Sequence, residues 1–127
     1  MFLGLRTITH PAPDLDAAKA WFTELLGHGP SFDEPFYVGF EVGGYELGLV
    51  PDAPVDEGAT TYWGVADADA ASRRLQELGA EVRAEVHEVG EGIRLGTFTT
   101  TAGQVVGIIE NPHFALPDGP PSPGPGR

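Results

Sequence analysis

The sequence predicts an α+β domain made of two tandem βαβββ modules that together form one curved mixed sheet. Two internal repeats support this prediction. The pattern Asp-x-Asp-Ala-Ala, followed by Glu-Leu and a closing glycine, occurs at 14–27 and again at 67–79. Downstream of each copy, the segment 44–50 (GYELGLV) resembles the segment 103–109 (GQVVGII). Two motifs that recur in the same order are typical of a duplicated structural unit.

The first module is predicted to contain a strand, a helix and three more strands. Residues 3–9 are rich in β-forming side chains, and the prolines that follow them predict the end of the first strand. Asp14 stands where a helix N-cap belongs, apolar residues recur at helical spacing, and Gly27 provides the stop. The other strands are predicted from Phe32, at 36–42 and, after a Gly-Gly turn, at 45–50.

The second module repeats this order after an acidic, proline-containing linker at 51–58. Asp67 is the predicted cap of the second helix, and Gly79 its end. The strands of this module are predicted at 60–65, 81–89, 93–100 and 104–109. We therefore expect a single domain over 1–112, with module 1 at 3–52 and module 2 at 59–112. The segment 113–127 is rich in proline and glycine, which predicts a disordered tail after a docked Phe114.

Composition excludes several classes of function. The chain has no cysteine, which excludes disulfides, zinc-thiolate sites, iron-sulfur clusters and a cysteine nucleophile. A net charge of −12 argues against nucleic acid and against anionic membrane surfaces as partners. A local basic pocket around Arg73, Arg74 or Arg94 could still hold a small anion. The sequence lacks a signal-peptide pattern and any run of about 18 apolar residues, so we expect a cytoplasmic location.

The order of these motifs resembles that of the vicinal oxygen chelate superfamily, which includes glyoxalase I, extradiol dioxygenases and bleomycin-resistance proteins. The resemblance covers residues 3–112 and implies two βαβββ modules around a shared concave cleft. Because this fold hosts lyases, epimerases, dioxygenases and proteins that only bind, it does not fix an activity. The segments that carry the resemblance are 13–15 (PDL), 25–27 (LLG), 65–67 (VAD), 78–80 (LGA), 90–92 (GEG) and 103–107 (GQVVG).

The resemblance also implies where a metal ion would bind. In metal-using members, each module gives one ligand from its first strand and one from its last strand. By the resemblance, these positions fall on Thr7 and Thr60 in the first strands, and on Gly48 and Gly107 in the last strands. Nickel, zinc and iron ions bind through imidazole nitrogens and carboxylate oxygens, which none of these residues offers. We therefore expect no metal and no other cofactor.

Alternation along the strands predicts which side chains face the cleft. In 45–50 the leucines suit the side packed by helices, which leaves Glu46 facing the cleft as a weak candidate for a general base or a cation anchor. Tyr62 shares the parity of Thr60 and is a candidate for stacking on a ligand. His10 has the opposite parity to Thr7 and is interpreted as structural, and most other aromatic residues as core. The predicted ligand-binding residues are Thr7, Thr9, Glu46, Gly48, Thr60, Tyr62 and Gly107.

The leading hypothesis is metal-independent binding of a small molecule, aromatic or cationic, in the cleft of a homodimeric protein. It favours a binding protein over an enzyme. The first alternative is a metal-dependent lyase, isomerase or dioxygenase of the glyoxalase type, whose metal is held by residues such as His10, Glu46 and Glu110. The second alternative is a protein interaction module whose cleft is filled by side chains. The sequence leaves open whether the two modules pair within a chain or by exchange in a dimer.

Overall fold

The computed structural model describes residues 2–114, which form one eight-stranded mixed sheet with two helices on one face. The predicted α+β class is confirmed. Residues 115–127, where a disordered tail is predicted, lie outside the described residues. In chain order the elements are β1 (Phe2–Pro11), α1 (Leu15–Leu26), β2 (Phe32–Glu34), β3 (Tyr37–Val42), β4 (Tyr45–Val50), a 3-10 turn (Val55–Glu57), β5 (Thr60–Val65), α2 (Ala68–Glu77), β6 (Glu81–Gly90), β7 (Ile93–Thr99) and β8 (Val105–Glu110).

The sheet joins the two modules through their first strands. Its strand order is β2-β3-β4-β1-β5-β8-β7-β6, and β1 and β5 pair antiparallel at the centre. Within each module the first strand pairs in parallel with the last strand, β1 with β4 and β5 with β8. Thr9 lies opposite Gly48, and Tyr62 lies opposite Gly107, so the register of the sequence repeat is confirmed. The modules therefore pair within one chain.

Each module has its own hydrophobic core between its helix and the sheet. Leu47 and Leu49 pack on the α1 side, as the alternation of β4 predicts. The fully buried residues of the first core are Ala12, Val38, Phe40 and Leu49, and those of the second are Val65, Ala68, Ala71, Phe98 and Ile108. Burying one such large side chain contributes about 1.5–3 kcal/mol. Both helices are short, and no helix of residues 2–114 is long and apolar enough to cross a membrane.

The predicted helix caps are present. The side chain of Asp14 accepts a hydrogen bond from the backbone N–H of Ala17 at 3.1 Å, and Asp67 accepts the equivalent bond from Ala70 at 3.1 Å. α2 has a second acceptor at its start, because Glu110 Oε1 accepts a hydrogen bond from the backbone N–H of Ala68 at 2.8 Å. These carboxylates satisfy N–H groups that have no partner within the helix and complement its dipole.

The first strand is longer than predicted. It continues through Pro11, which lies opposite Val50 in β4. Pro11 has no N–H to donate, but the pairing with β4 is maintained because the next residue, Ala12, donates to the carbonyl of Val50 at 2.9 Å. On its other side, β1 does not pair with β5 beyond Thr9, so the prolines interrupt no hydrogen bonds there. The prediction that the prolines end the pairing at residue 9 is therefore wrong.

Candidate functional site

The face of the sheet opposite the helices holds a cavity of about 780 Å³ that both modules line. Its wall is mostly apolar and aromatic, with a few polar groups, which is typical of small-molecule sites. The alternative of a cleft completely filled by side chains is therefore wrong. The lining residues are Arg6, Thr7, Thr9, Ser31, Phe32, Phe36, Tyr37, Glu41, Gly44, Tyr45, Glu46, Val50, Tyr62, Val89, Ile93, Leu95, Ile109, Asn111, His113 and Phe114.

Four side chains of the cleft lie flat over buried glycines of neighbouring strands. A Cβ atom added at Gly48 would fall inside the phenol of Tyr37. A Cβ at Gly39 would come within 2.6 Å of a carboxylate oxygen of Glu46, closer than real Cβ contacts allow. At Gly48 and Gly107 an added side chain would displace a packed tyrosine ring. At Gly39 and Gly64 it would displace the end of a flexible charged side chain. The four pairs are Tyr37 over Gly48, Glu46 over Gly39, Tyr62 over Gly107 and Arg6 over Gly64.

Glu46 is held by hydrogen bonds from two neighbouring strands. The hydroxyl of Tyr37 donates to Glu46 Oε1 at 2.9 Å, and the hydroxyl of Thr7 donates to the same oxygen at 3.4 Å. Burial raises the pKa of Tyr37 far above its usual range, and the nearby charge of Glu46 raises it further. Tyr37 therefore stays protonated and remains a donor, which orients the carboxylate of Glu46 along the wall of the cleft.

Tyr62 forms the wall on the other module. Its ring covers Gly107, and in the pairing of β1 with β5 it lies opposite Thr7. Burial raises the pKa of its hydroxyl as well. Both tyrosines thus offer neutral aromatic surface with a polar tip. Such surface can stack on a planar ligand and hydrogen-bond to its polar groups.

Arg6 brings a positive charge into the cleft. Strict alternation from Thr7 would place it on the helix face, but a β-bulge between Leu5 and Thr7 allows both neighbours to line the cavity. Its guanidinium group lies over Gly64 of β5 and 3.8 Å from the ring centroid of Phe114. Among residues 2–114, Arg6 forms no ion pair with a carboxylate.

Phe114 follows β8 and reaches back over the cleft. Its ring centroid lies 6.3 Å from that of Tyr45 in the first module. The expected docking of Phe114 is thus present, and this residue links the two modules beside Arg6. An aromatic ring stacked on a guanidinium excludes water from one of its faces while leaving its edge donors free.

The structure brings together four of the seven sequence-predicted binding residues. Thr7, Thr9, Glu46 and Tyr62 line the cavity, and their binding roles stay predictions. Thr60 pairs with Thr9 in the sheet but does not line the cavity. Gly48 and Gly107 lie beneath the tyrosine rings and support them rather than facing a ligand.

Sequence reasoning missed Arg6 and Tyr37. Most aromatic residues other than Tyr62 are predicted to be core, yet Tyr37 alternates with the buried Val38 and Phe40 and points to the cleft. That alternation could have identified it once the start of β3 was known. Trp21 and Phe36 are further exceptions to that prediction, with exposed fractions of 61% and 64%.

The four positions that the resemblance assigns to metal ligands do not fit a metal ion. Thr7 and Thr60 offer only hydroxyls, and the two glycines are covered by tyrosine rings. Within residues 2–114 no three His, Asp or Glu side chains are grouped so that they could hold a metal ion.

The alternative ligand set of His10, Glu46 and Glu110 is not assembled either. The ring of His10 stacks on Phe22 of α1, on the helix side, with a centroid distance of 6.3 Å. Glu110 caps α2 on that same side, whereas Glu46 faces the cleft. A single ion cannot contact side chains on both faces of the sheet, so this set is wrong.

The other arginines proposed for a basic pocket also lie outside the cavity lining. Arg94 forms a two-contact ion pair with Asp69, both at 3.1 Å, and Arg74 contacts Glu77 at 3.3 Å. Arg73 is exposed on α2. The positive charge available in the cleft is therefore that of Arg6.

Two βαβββ modules around a concave cleft define the class of this protein. The sequence profile of the Glyoxalase/Bleomycin resistance protein/Dioxygenase superfamily matches residues 4–108, and the chain belongs to that family.

Solved structures of low sequence identity share the fold. Methylmalonyl-CoA epimerase of Streptomyces coelicolor, in complex with 2-nitronate-propionyl-CoA, is 16% identical with a TM-score of 0.74, over 88% of this chain and 99% of that one. A glyoxalase/bleomycin resistance protein/dioxygenase superfamily member from Vibrio splendidus 12B01 is 18% identical with a TM-score of 0.65, over 84% and 97% of the two chains. Among curated protein sequences, none matches the chain.

Proposed function

We propose that this protein binds a small, partly aromatic molecule in the cleft without the help of a metal ion. The observation that carries the proposal is the pair of tyrosines over Gly48 and Gly107. Their rings take up the space from which the family's last-strand ligands would project, and in its place they provide aromatic surface. The cavity of about 780 Å³ is in the size range of small-molecule sites.

Glu46 gives the site a polar contact on the side of the first module. One of its oxygens already accepts hydrogen bonds from Tyr37 and Thr7, so its position is fixed. A ligand with an amine or another hydrogen-bond donor would complete the contacts of the carboxylate. We expect this binding to take place in the cytoplasm.

Fluorescence titration with the neutral aromatic probe N-phenyl-naphthylamine (NPN) tests the proposal. The Thr9→Trp variant places a large ring in the cavity that Thr9 lines. We expect it to weaken NPN binding by at least about tenfold, equivalent to about 1.4 kcal/mol. Ile8→Trp is the matched control, because Ile8 precedes Thr9 on the opposite, helix-side face of β1 and is not part of the lining. Equal binding by both variants would place the probe elsewhere and contradict the proposal.

Metal independence is tested on the same protein, purified without a metal-affinity tag. We expect the same NPN affinity with and without EDTA, no stoichiometric metal in the purified protein, and no rise in melting temperature with nickel, zinc, manganese or ferrous ions. Any ion that binds the folded state alone would raise the melting temperature by mass action. Tight stoichiometric metal that Glu46→Ala abolishes would overturn the proposal in favour of a metal-dependent reaction.

A further inference from the structure

We infer that the ligand of this cleft carries an anionic group, a carboxylate or phosphate joined to its aromatic body, and that Arg6 binds this group. The inference rests on the proposed function, because it assigns the chemical class of the molecule held in the same cavity. It derives from the charge, the support and the surroundings of Arg6.

Arg6 differs from most of the cations among residues 2–114 in having no carboxylate partner. The net charge is −12, and most cations of the described residues are paired with carboxylates. Those paired cations are Lys19, Arg74, Arg83 and Arg94. Arg6 forms no such pair within residues 2–114, although it lines the same cavity as Glu46 and Glu41. A half-buried guanidinium without a counter-charge favours an anion from solution.

Other residues hold the side chain of Arg6 in place. Gly64 leaves room for this side chain, since an added Cβ would lie 2.6 Å from Nε and would displace the guanidinium. Phe114 stacks on the guanidinium at 3.8 Å, which holds the plane of the group without using its donors. One donor, Nη1, is used by the carbonyl of Leu5 at 3.1 Å. The guanidinium carries five N–H donors, so others remain to bind the two oxygens of a carboxylate or phosphate.

Arg6 and Glu46 lie on opposite sides of β1. Glu46 belongs to β4 on one side, and the Arg6 side chain lies over Gly64 of β5 on the other. A ligand between them would direct its anion to the β5 side and any donor group to the β4 side. The tyrosine and phenylalanine rings would contact the apolar body between these ends.

Two fluorescent probes that differ in one group test the inference. Anilinonaphthalene sulfonate (ANS) is NPN with an added sulfonate, so the ratio of their affinities isolates the effect of the anion. We expect the wild-type protein to bind ANS at least about tenfold more tightly than NPN, since charge-assisted hydrogen bonds are the strong ones. Arg6→Gln should remove this preference, measured as the ratio of the ANS and NPN affinities of the same variant.

Arg73→Gln is the matched control, because it removes the same charge from an exposed site outside the cavity lining. We expect it to keep the ANS preference. If Arg6→Gln does not fold, Arg6→Lys serves in its place, and the loss of the planar donor group should reduce the preference. Competition with ANS by phenylacetate and by phenyl phosphate shows whether the cleft prefers a carboxylate or a phosphate, and we expect at least one of them to displace ANS. The neutral phenylacetamide should not displace it.

The outcomes distinguish a failure of the anion site at Arg6 from a failure of small-molecule binding in the cleft. NPN and ANS bound equally in the cleft would overturn the role of Arg6 and leave the proposed function standing. Equal loss of ANS preference in the Arg6 and Arg73 variants would also overturn it, because the effect would then come from total charge. Failure of both probes to bind the wild-type protein would contradict the proposed function and with it the anionic ligand.

Discussion

Gly48 and Gly107 occupy equivalent places in the two modules, each opposite a first-strand residue and beneath a tyrosine ring. The absence of a side chain at these positions has a double effect. It leaves no metal-ligating side chain at the positions of the family's last-strand ligands, and it makes room for the tyrosine rings. Because Gly48 and Gly107 have no side chain, the cleft has tyrosine rings at these two positions and no metal ligands.

Replacement of Gly48 by alanine should force the ring of Tyr37 away from β4 and disturb its hydrogen bond to Glu46. We expect a loss of about 1–3 kcal/mol in the free energy of unfolding, measured by urea denaturation, because overpacking a fixed site costs that much. Gly29→Ala is the control, since no atom lies within 4 Å of the added Cβ and its φ is not positive. It should be neutral or stabilising by up to about 1 kcal/mol. Similar losses in both variants would contradict the close packing of Tyr37.

Tyr37 and Tyr62 also predict a loss of stability at alkaline pH. Burial raises the pKa of both hydroxyls in the folded protein, so above the ordinary tyrosine pKa of about 10 the unfolded state loses protons that the folded state keeps. Their contribution is therefore fully present below about pH 10 and falls as the pH rises, by up to about 1.4 kcal/mol per pH unit for each tyrosine. Tyr37→Phe should make the decline shallower by about that slope. Parallel declines of the two proteins in urea denaturation at several alkaline pH values would show that Tyr37 is not responsible.

The site could be predicted from sequence only where strands alternate regularly. Glu46 and Tyr62 were found because β4 and β5 have no irregularity, and their register is checked by the repeat. Arg6 was missed because a bulge reverses the alternation of β1, and a bulge depends on the pairing with β5 rather than on the local sequence. An aromatic residue such as Tyr37 suits a core and a cleft equally well.

The helices were the elements that sequence predicted best, because their ends carry local signals. Asp14 and Asp67 cap them by hydrogen bonds to residues three positions ahead, which can be identified without tertiary structure. The end of β1 carries no comparable signal. Its pairing beyond Thr9 depends on Val50 in a distant strand, so the prolines alone gave the wrong boundary.

The cap of α1 provides a prediction at the scale of the element. Asp14→Ala removes the acceptor for the N–H of Ala17, and we expect thermal or urea unfolding to show a loss of about 1 kcal/mol. Asp14→Asn is the matched control because asparagine caps about as well as aspartate, and it should retain most of the stability. If both substitutions had the same effect, the charge of Asp14 rather than its capping bond would be the source.

Both modules of a single chain line the cavity, because they pair through β1 and β5. The expected homodimer stays a prediction, to be checked by light scattering. In either state we expect one NPN molecule per chain, with an affinity that does not change on dilution. One probe per two chains would mean that the binding site lies between subunits instead.

The same pairing predicts that the two modules unfold together. Their cores are separate, but unfolding one module would expose the β1–β5 edge of the other, and each half is small for an independent domain. Phe40→Leu loosens the core of the first module, while Trp63 lies in the second and contacts Phe2 at a centroid distance of 5.9 Å. In a Trp21→Phe background Trp63 is the remaining tryptophan, and its fluorescence reports the second module and its contact with β1.

We expect Phe40→Leu to shift the unfolding of Trp63 and of the far-ultraviolet circular dichroism by the same amount, between about 0.5 and 3 kcal/mol. Coincident transitions are the signature of a single cooperative unit. If the Trp63 transition stayed in place while circular dichroism showed an earlier step, the modules would unfold independently. The cavity would then open between them, and a ligand that contacts Glu46 in one module and Tyr62 in the other would restore the single transition by stabilising both.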